Sequence, residues 1–201
     1  VHSTVFTSAS LVFIFLLTLS CAGKQANIPR PSQNMGMFQQ SVSPETKKSL
    51  AEGAKLLRAR QYGKAESIFL NLAKANPQLL VPNMNLALIY LQQERLLEAE
   101  SMVREVLKKN SRRPEAYNLL GVVLRQQGRF AEAETAYKYA LQIDSRYAGA
   151  HMNIAILYDI YLLDYEKAKR HYRALAELEP DQEKQVNAWL ADMLQRAQAS
   201  N

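Results

Sequence analysis

Small residues recur every 34 positions in this chain, at Gly53, Ala87, Gly121 and Ala155. A second small series follows 12 residues later at Ala65, Ala99 and Ala133, and 13 later at Ala168 in the last copy. Four residues beyond each stands a larger apolar side chain: Phe69, Val103, Tyr137 and Tyr172. Eight further on comes a turn former, Pro77, Ser111, Ser145 or Pro180, and Leu56, Tyr90, Leu124 and Tyr158 sit three positions after the first series. A period of this length is one supersecondary unit that cannot bury its apolar face alone, so neighbouring units must stack. The spacing predicts two antiparallel helices per unit. Small residues let the backbones approach, and the larger ones fill the space beside them.

Composition agrees with that reading. Ala, Leu, Gln, Glu, Lys and Arg dominate after residue 45, and these side chains lose little rotamer freedom in a helix. Ser43-Pro44-Glu45 offers a cap, a proline and an acidic first turn for an opening helix, and Pro82 and Pro114 fall where a first turn tolerates proline. The 201 residues are 48% hydrophobic, enough to build a core. A lone cysteine excludes an internal disulfide and any multi-cysteine zinc site. The net charge of +6 is thinly spread, doubling only at 47–48, 108–109 and 112–113 beside carboxylates. It reads as a solvated helical surface, without a nucleic-acid partner.

The stretches "YNLLGVVLRQQGRFAEAETAYKYALQIDS" at 117–145 and "HMNIAILYDIYLLDYEKAKRHYRALAELEP" at 151–180 carry the pattern most fully, and here the chain resembles the tetratricopeptide repeat (TPR) family. The resemblance implies an all-α, right-handed superhelical solenoid. Four repeats would fill 45–181, at about 46–79, 80–113, 114–147 and 148–181, with a closing helix over 182–201. Glu52 replaces the apolar residue that the other copies hold at Leu86, Leu120 and Ile154, as suits an end repeat. The fourth copy has one extra residue between Ile160 and Asp164, expected to widen the groove locally. In the closing helix, Val186, Trp189, Leu190, Met193 and Leu194 recur at helical spacing, with Trp189 read as packing.

Such superhelices usually recognise peptides on the first helix of each repeat. The resemblance therefore implies a peptide groove lined by Leu50, Ala54 and Leu57, then Met84, Asn85, Leu88 and Leu91. Asn118, Val122, Arg125 and Gln126 follow, then Met152, Asn153, Ile156 and Asp159. Asn85, Asn118 and Asn153 recur near one position and are expected to bond an extended backbone. The family's clamp for chaperone tails is not expected, because Leu50, Ala54, Glu115 and Leu119 stand where its other residues belong.

The N-terminal region adds a compartment. Residues 11–19, "LVFIFLLTL", would span only about 14 Å as helix, too short to cross a bilayer. They fit the core of a signal peptide over 1–20. "LTLSC" resembles the processing box of bacterial lipoproteins, which implies cleavage before Cys21 and acylation of its sulfur. Several acyl chains would anchor it durably. Ala22 rather than Asp after the cysteine points to the outer membrane, so the expected location is periplasmic and lipid-anchored. Residues 21–44, rich in Pro, Gln, Asn and Ser, read as a flexible tether.

No glycine-rich phosphate loop and no metal-spaced histidine pair occurs in the sequence; His151 and His171 lie 20 apart on different expected helices. The expectation is therefore no enzyme, no cofactor, no metal and no small-molecule substrate. The leading expectation is a membrane-anchored adaptor holding a protein or peptide partner while an envelope complex assembles. The alternatives are a pilotin-like chaperone for type IV pilus or secretion subunits, and an accessory of an energised inner-membrane transport system.

Overall fold

A computed structural model describes residues 42–199, and every element in it is helical. In chain order these are α1 (Pro44–Arg58), α2 (Tyr62–Ala75), α3 (Leu80–Gln92), α4 (Leu96–Lys109), α5 (Pro114–Gln126), α6 (Phe130–Ile143) and α7 (Ala148–Ile156). Helix α7 runs on into a π-helical turn, Leu157–Leu162, before α8 (Tyr165–Leu178). A 3₁₀ turn, Pro180–Gln182, then leads to α9 (Glu183–Ala199). The helices pair as α1/α2, α3/α4, α5/α6 and α7/α8, each hairpin packs on the next, and α9 closes against α8. The fold is an all-α solenoid of TPR-like helical hairpins.

The small and large series of the sequence meet inside each hairpin. A methyl group added at Gly53 would stand 2.8 Å from Cζ of the Phe69 ring, and one at Gly121 would overlap the Tyr137 ring. Glycine thus makes room for the ring in the first and third hairpins, whereas in the fourth Ala155 is the small residue paired with the Tyr172 ring. Ala87 faces the smaller Val103 series residue, and all of these larger residues are essentially excluded from water. Ser43 caps α1 by accepting the Thr46 N–H at 3.1 Å, and Pro44 and Pro114 open their helices.

The turns inside the first three hairpins are alike. Each has one residue in the left-handed region, Arg60, Glu94 or Gly128, and the following N–H bonds the carbonyl five residues back. Gln61 thus reaches Leu56, Arg95 reaches Tyr90 and Arg129 reaches Leu124, all at 2.9 Å. This is the Schellman closure of a helix C-terminus. In the fourth hairpin Leu163 is left-handed, and the Asp164 N–H bonds Tyr158, six residues back. The extra residue seen in the sequence is thus absorbed as one wider turn of helix.

An ion-pair ladder ties the hairpins together. Arg95 in the second internal turn reaches Glu66 on α2 at 3.1 Å, and Arg129 in the third reaches Glu100 on α4 at 2.7 Å. On the next rung Glu134 instead accepts the Tyr158 hydroxyl at 2.6 Å and pairs with Lys138. At the far end Val186 and Met193 of α9 are fully buried and Trp189 meets Tyr172 at 6.2 Å between ring centres. Leu194, expected to pack with them, is exposed, because it falls beyond the stripe that α9 turns toward α8.

Candidate functional site

The candidate site is the face formed by the first helices of the hairpins, α1, α3, α5 and α7. Leu50, Ala54 and Leu57 of α1, Met84, Asn85 and Leu88 of α3, and Met152 of α7 are half-buried there, and Gln126 is exposed. Five of these, Leu50, Leu57, Met84, Leu88 and Met152, pack on the core while keeping part of their surface in water. Leu91, Val122 and Ile156 are buried and belong to the interior, because the stacked hairpins close over them. Cys21 lies outside the described residues.

The polar residues named from the sequence are used in three ways. Asn85 donates its amide to the Val81 carbonyl one turn back, at 2.8 Å. Asn118 and Asn153 are buried and bond each other across adjacent hairpins, Asn153 Nδ2 donating to Asn118 Oδ1 at 3.0 Å. The three amides therefore do not form one row offered to a peptide backbone. Asn118 is one position out of step with the other two, yet it and the in-step Asn153 are both buried against each other. Asp159 is also interior: it accepts from Arg196 of α9 at 2.7 Å and from the Tyr172 hydroxyl at 3.1 Å. Burial and the Asp159 charge together push the Tyr172 phenol far above its usual range.

Arg125 is different. Its guanidinium, at the end of α5, is nearly buried, and no carboxylate among the described residues pairs with it. It lies 5.5 Å from the centre of the Tyr161 ring, which projects from the π-helical turn and packs on Phe130 at 5.0 Å. The fully buried Tyr137 hydroxyl is close enough to feel the Arg125 charge. Burial raises its phenol well above the ordinary range, and the cation opposes that.

One cluster was invisible in the sequence. His151 and His171, from α7 and α8, face each other with their Nδ1 atoms 3.0 Å apart. The His151 Nε2–H donates to the Ser145 carbonyl at 3.0 Å, which fixes that ring. Burial, then the charges of His151, Arg170 and Lys138, lower the His171 pKa to about 4. Antiparallel packing of α7 on α8 brings together two residues 20 apart; only a hairpin register could have revealed it. Among the described residues no group of three or more His, Cys, Asp or Glu is arranged to hold a metal ion. Also among them, no helix is long and apolar enough to cross a membrane.

Hairpins stacked around a half-open apolar row define a helical-repeat scaffold. Residues 84–148 match the family model described as a tetratricopeptide repeat. Solved structures share the fold. Pseudomonas aeruginosa PilF is similar at 20% identity, over 77% of this chain and 69% of its own, with a TM-score of 0.69. A thermophilic TPR protein of Thermus thermophilus is similar at 23% identity, over 76% and 82%, with a TM-score of 0.65. MamA from Desulfovibrio magneticus RS-1 is similar at 19% identity, over 68% and 77%, with a TM-score of 0.59. No curated protein sequence matches the chain.

Proposed function

We propose that the chain is a non-enzymatic adaptor that grips a partner polypeptide along the first helices of its hairpins and is held at a membrane through acylated Cys21. The observation behind the groove is the half-buried row Leu50, Leu57, Met84, Leu88 and Met152, contributed by α1, α3 and α7. Apolar side chains left partly in water across several hairpins favour a partner that covers them. The methionines let that surface adapt to more than one shape. Photocrosslinkers at Leu88 and Gln126 should capture one partner, and capture solely from positions on α2 and α4 would refute the groove.

The anchor rests on the box ending at Cys21 and on the tether behind it, whose reach as flexible coil is about 25–30 Å. Together they support a periplasmic protein hung from the outer membrane, serving an envelope complex. Cys21→Ser should release the protein from membranes, and mass spectrometry of the mature N-terminus should find an acylated cysteine. Full membrane retention of that variant would end the lipoprotein reading.

A second reading, a pilotin-like chaperone for type IV pilus or secretion subunits, has in its favour the similarity of fold to Pseudomonas aeruginosa PilF. Removing the anchor separates the two. Loss of a chaperone leaves its subunit in the wrong membrane, whereas loss of a scaffold leaves the subunit placed but the complex unassembled.

A further inference from the structure

Five buried polar side-chain atoms among the described residues find no hydrogen-bond partner: Arg113 Nε, Asn118 Nδ2, Arg125 Nε, Tyr137 Oη and Asn153 Oδ1. Asn118 and Asn153 already spend one bond on each other and are sealed between α5 and α7. Arg125, above the buried Tyr137, is the one that meets a rim. Arg125 is 6% exposed and Tyr137 fully buried, while Tyr161, whose ring the guanidinium faces, is 44% exposed. A guanidinium this far from water is disfavoured unless an anion or several acceptors face it. The other arginines that bridge helices have such partners: Arg95 has Glu66, Arg129 has Glu100 and Arg196 has Asp159. Arg125 has an aromatic ring.

We propose that Arg125, with Tyr137 beneath it and Tyr161 at its rim, receives the acidic side chain of a partner polypeptide lying along the first-helix face. The proposal rests on the groove reading above and specifies its chemistry. A carboxylate offers acceptor oxygens to the forked guanidinium, whose Nε finds no partner among the described residues. The Tyr161 ring leaves the edge of a guanidinium free to bond in its own plane. A side chain suits the place better than a chain terminus. Arg125 belongs to the third of four hairpins, with Met84 and Leu88 on one side and Met152 on the other, so a bound chain continues in both directions. The site also accounts for the irregular turn: the π-helical segment is what carries Tyr161 to Arg125 and Phe130.

A phage-displayed library of random 12-residue segments, fused at their C-termini so that no free carboxylate is offered, tests this on the folded chain. Selected segments should share one Asp or Glu. As synthetic amidated peptides, changing that residue to Gln or Asn should weaken binding by about tenfold or more. Arg125→Met should weaken the acidic peptide by a similar factor, with no further loss when both changes are combined. Tyr161→Ala, at the exposed rim, should weaken it a few-fold. The comparison of acidic and amide peptides on the unaltered protein holds even if Arg125→Met folds poorly. Selected segments with no acidic residue, or equal affinity for acid and amide, overturn the proposal and leave the groove standing. Free-acid peptides that bind tightly without an internal acid also overturn it, by moving the site to a chain terminus. If no selected segment is lost on Leu88→Glu, the groove reading falls and this proposal falls with it.

Discussion

The third and fourth hairpins are built from the same pattern and end up with different jobs. In the third, Gly128 takes the left-handed turn position, Arg129 reaches back to Glu100 on α4, and Gly121 makes room for Tyr137. In the fourth, Leu163 takes the left-handed position, no arginine follows it, and Ala155 rather than glycine is paired with the Tyr172 ring. One inserted residue accompanies all three departures. Regular hairpins spend their turn residues on glueing neighbour to neighbour. The irregular one projects Tyr161, Leu162 and Leu163 into water instead, and turns Tyr161 onto Arg125. A repeat array tolerates this near its end, where fewer units depend on the joint.

The largest expected effect comes from the buried rings. Tyr137→Ala and Tyr172→Ala should each lower the free energy of unfolding by about 3–5 kcal/mol in urea melts. Tyr172→Ala should be the costlier, because it also removes the hydroxyl that Asp159 accepts. A smaller loss at Tyr172 would mean that the fourth hairpin is the more loosely packed of the two.

Next comes the ladder. Glu100 is held by Arg104, Gln127 and Arg129, whose bonds lower its pKa against the desolvation that raises it. Glu100→Gln should therefore cost about 1–3 kcal/mol. Glu134→Gln, on the rung that meets Tyr158 and Lys138, should cost less, about 0.5–1.5 kcal/mol. Equal costs would erase the distinction between the rungs.

The turns give a still smaller and opposite pair. Gly128→Ala, at a φ of 76°, should destabilise by about 1 kcal/mol, whereas Leu163→Gly should stabilise by up to about 1 kcal/mol. Leu163 has little packing to lose, being largely exposed. A loss on Leu163→Gly would show that its side chain is held in place by something beyond the turn.

The finest test is pH. The folded pKa of His171 lies near 4 against an ordinary value of 6.5, so the unfolded chain takes up a proton first as pH falls. Stability that is complete above about pH 6.5 should decline toward pH 4 on this account. His171→Gln should flatten that part of the profile while leaving the carboxylate-driven loss at lower pH. The groups facing His171 are His151 on α7, Arg170 on its own helix, Lys138 on α6, and the Tyr158 ring stacked at 5.9 Å. An unchanged slope in the variant would remove the histidine pair from the account.

Much of this architecture was legible from spacing. The small series, the large series and the turn formers repeat because each hairpin solves one steric problem, and a steric problem repeated in space repeats in sequence. The extra residue before Asp164 was visible too, though not that it would be taken up as a π-helical turn. The candidate face was legible only in outline. Its apolar members follow from helical periodicity, but periodicity presents Asn118 and Asn153 as open amides whereas they bond each other, and Asp159 is taken by Arg196, 37 residues away. The Glu66–Arg95 and Glu100–Arg129 rungs were missed because exposed charges at these spacings look like any solvated helix surface.

Sequence alone settled that the chain makes a repeated series of helical hairpins, since the volumes that let two helices touch are local and periodic. Tertiary structure alone decided which polar side chains are satisfied from within and which are not. That depends on contacts between hairpins, which pair Asn118 with Asn153 and leave Arg125 beside a ring with no carboxylate. Periodicity records how neighbours pack; it does not record what each charge finally faces.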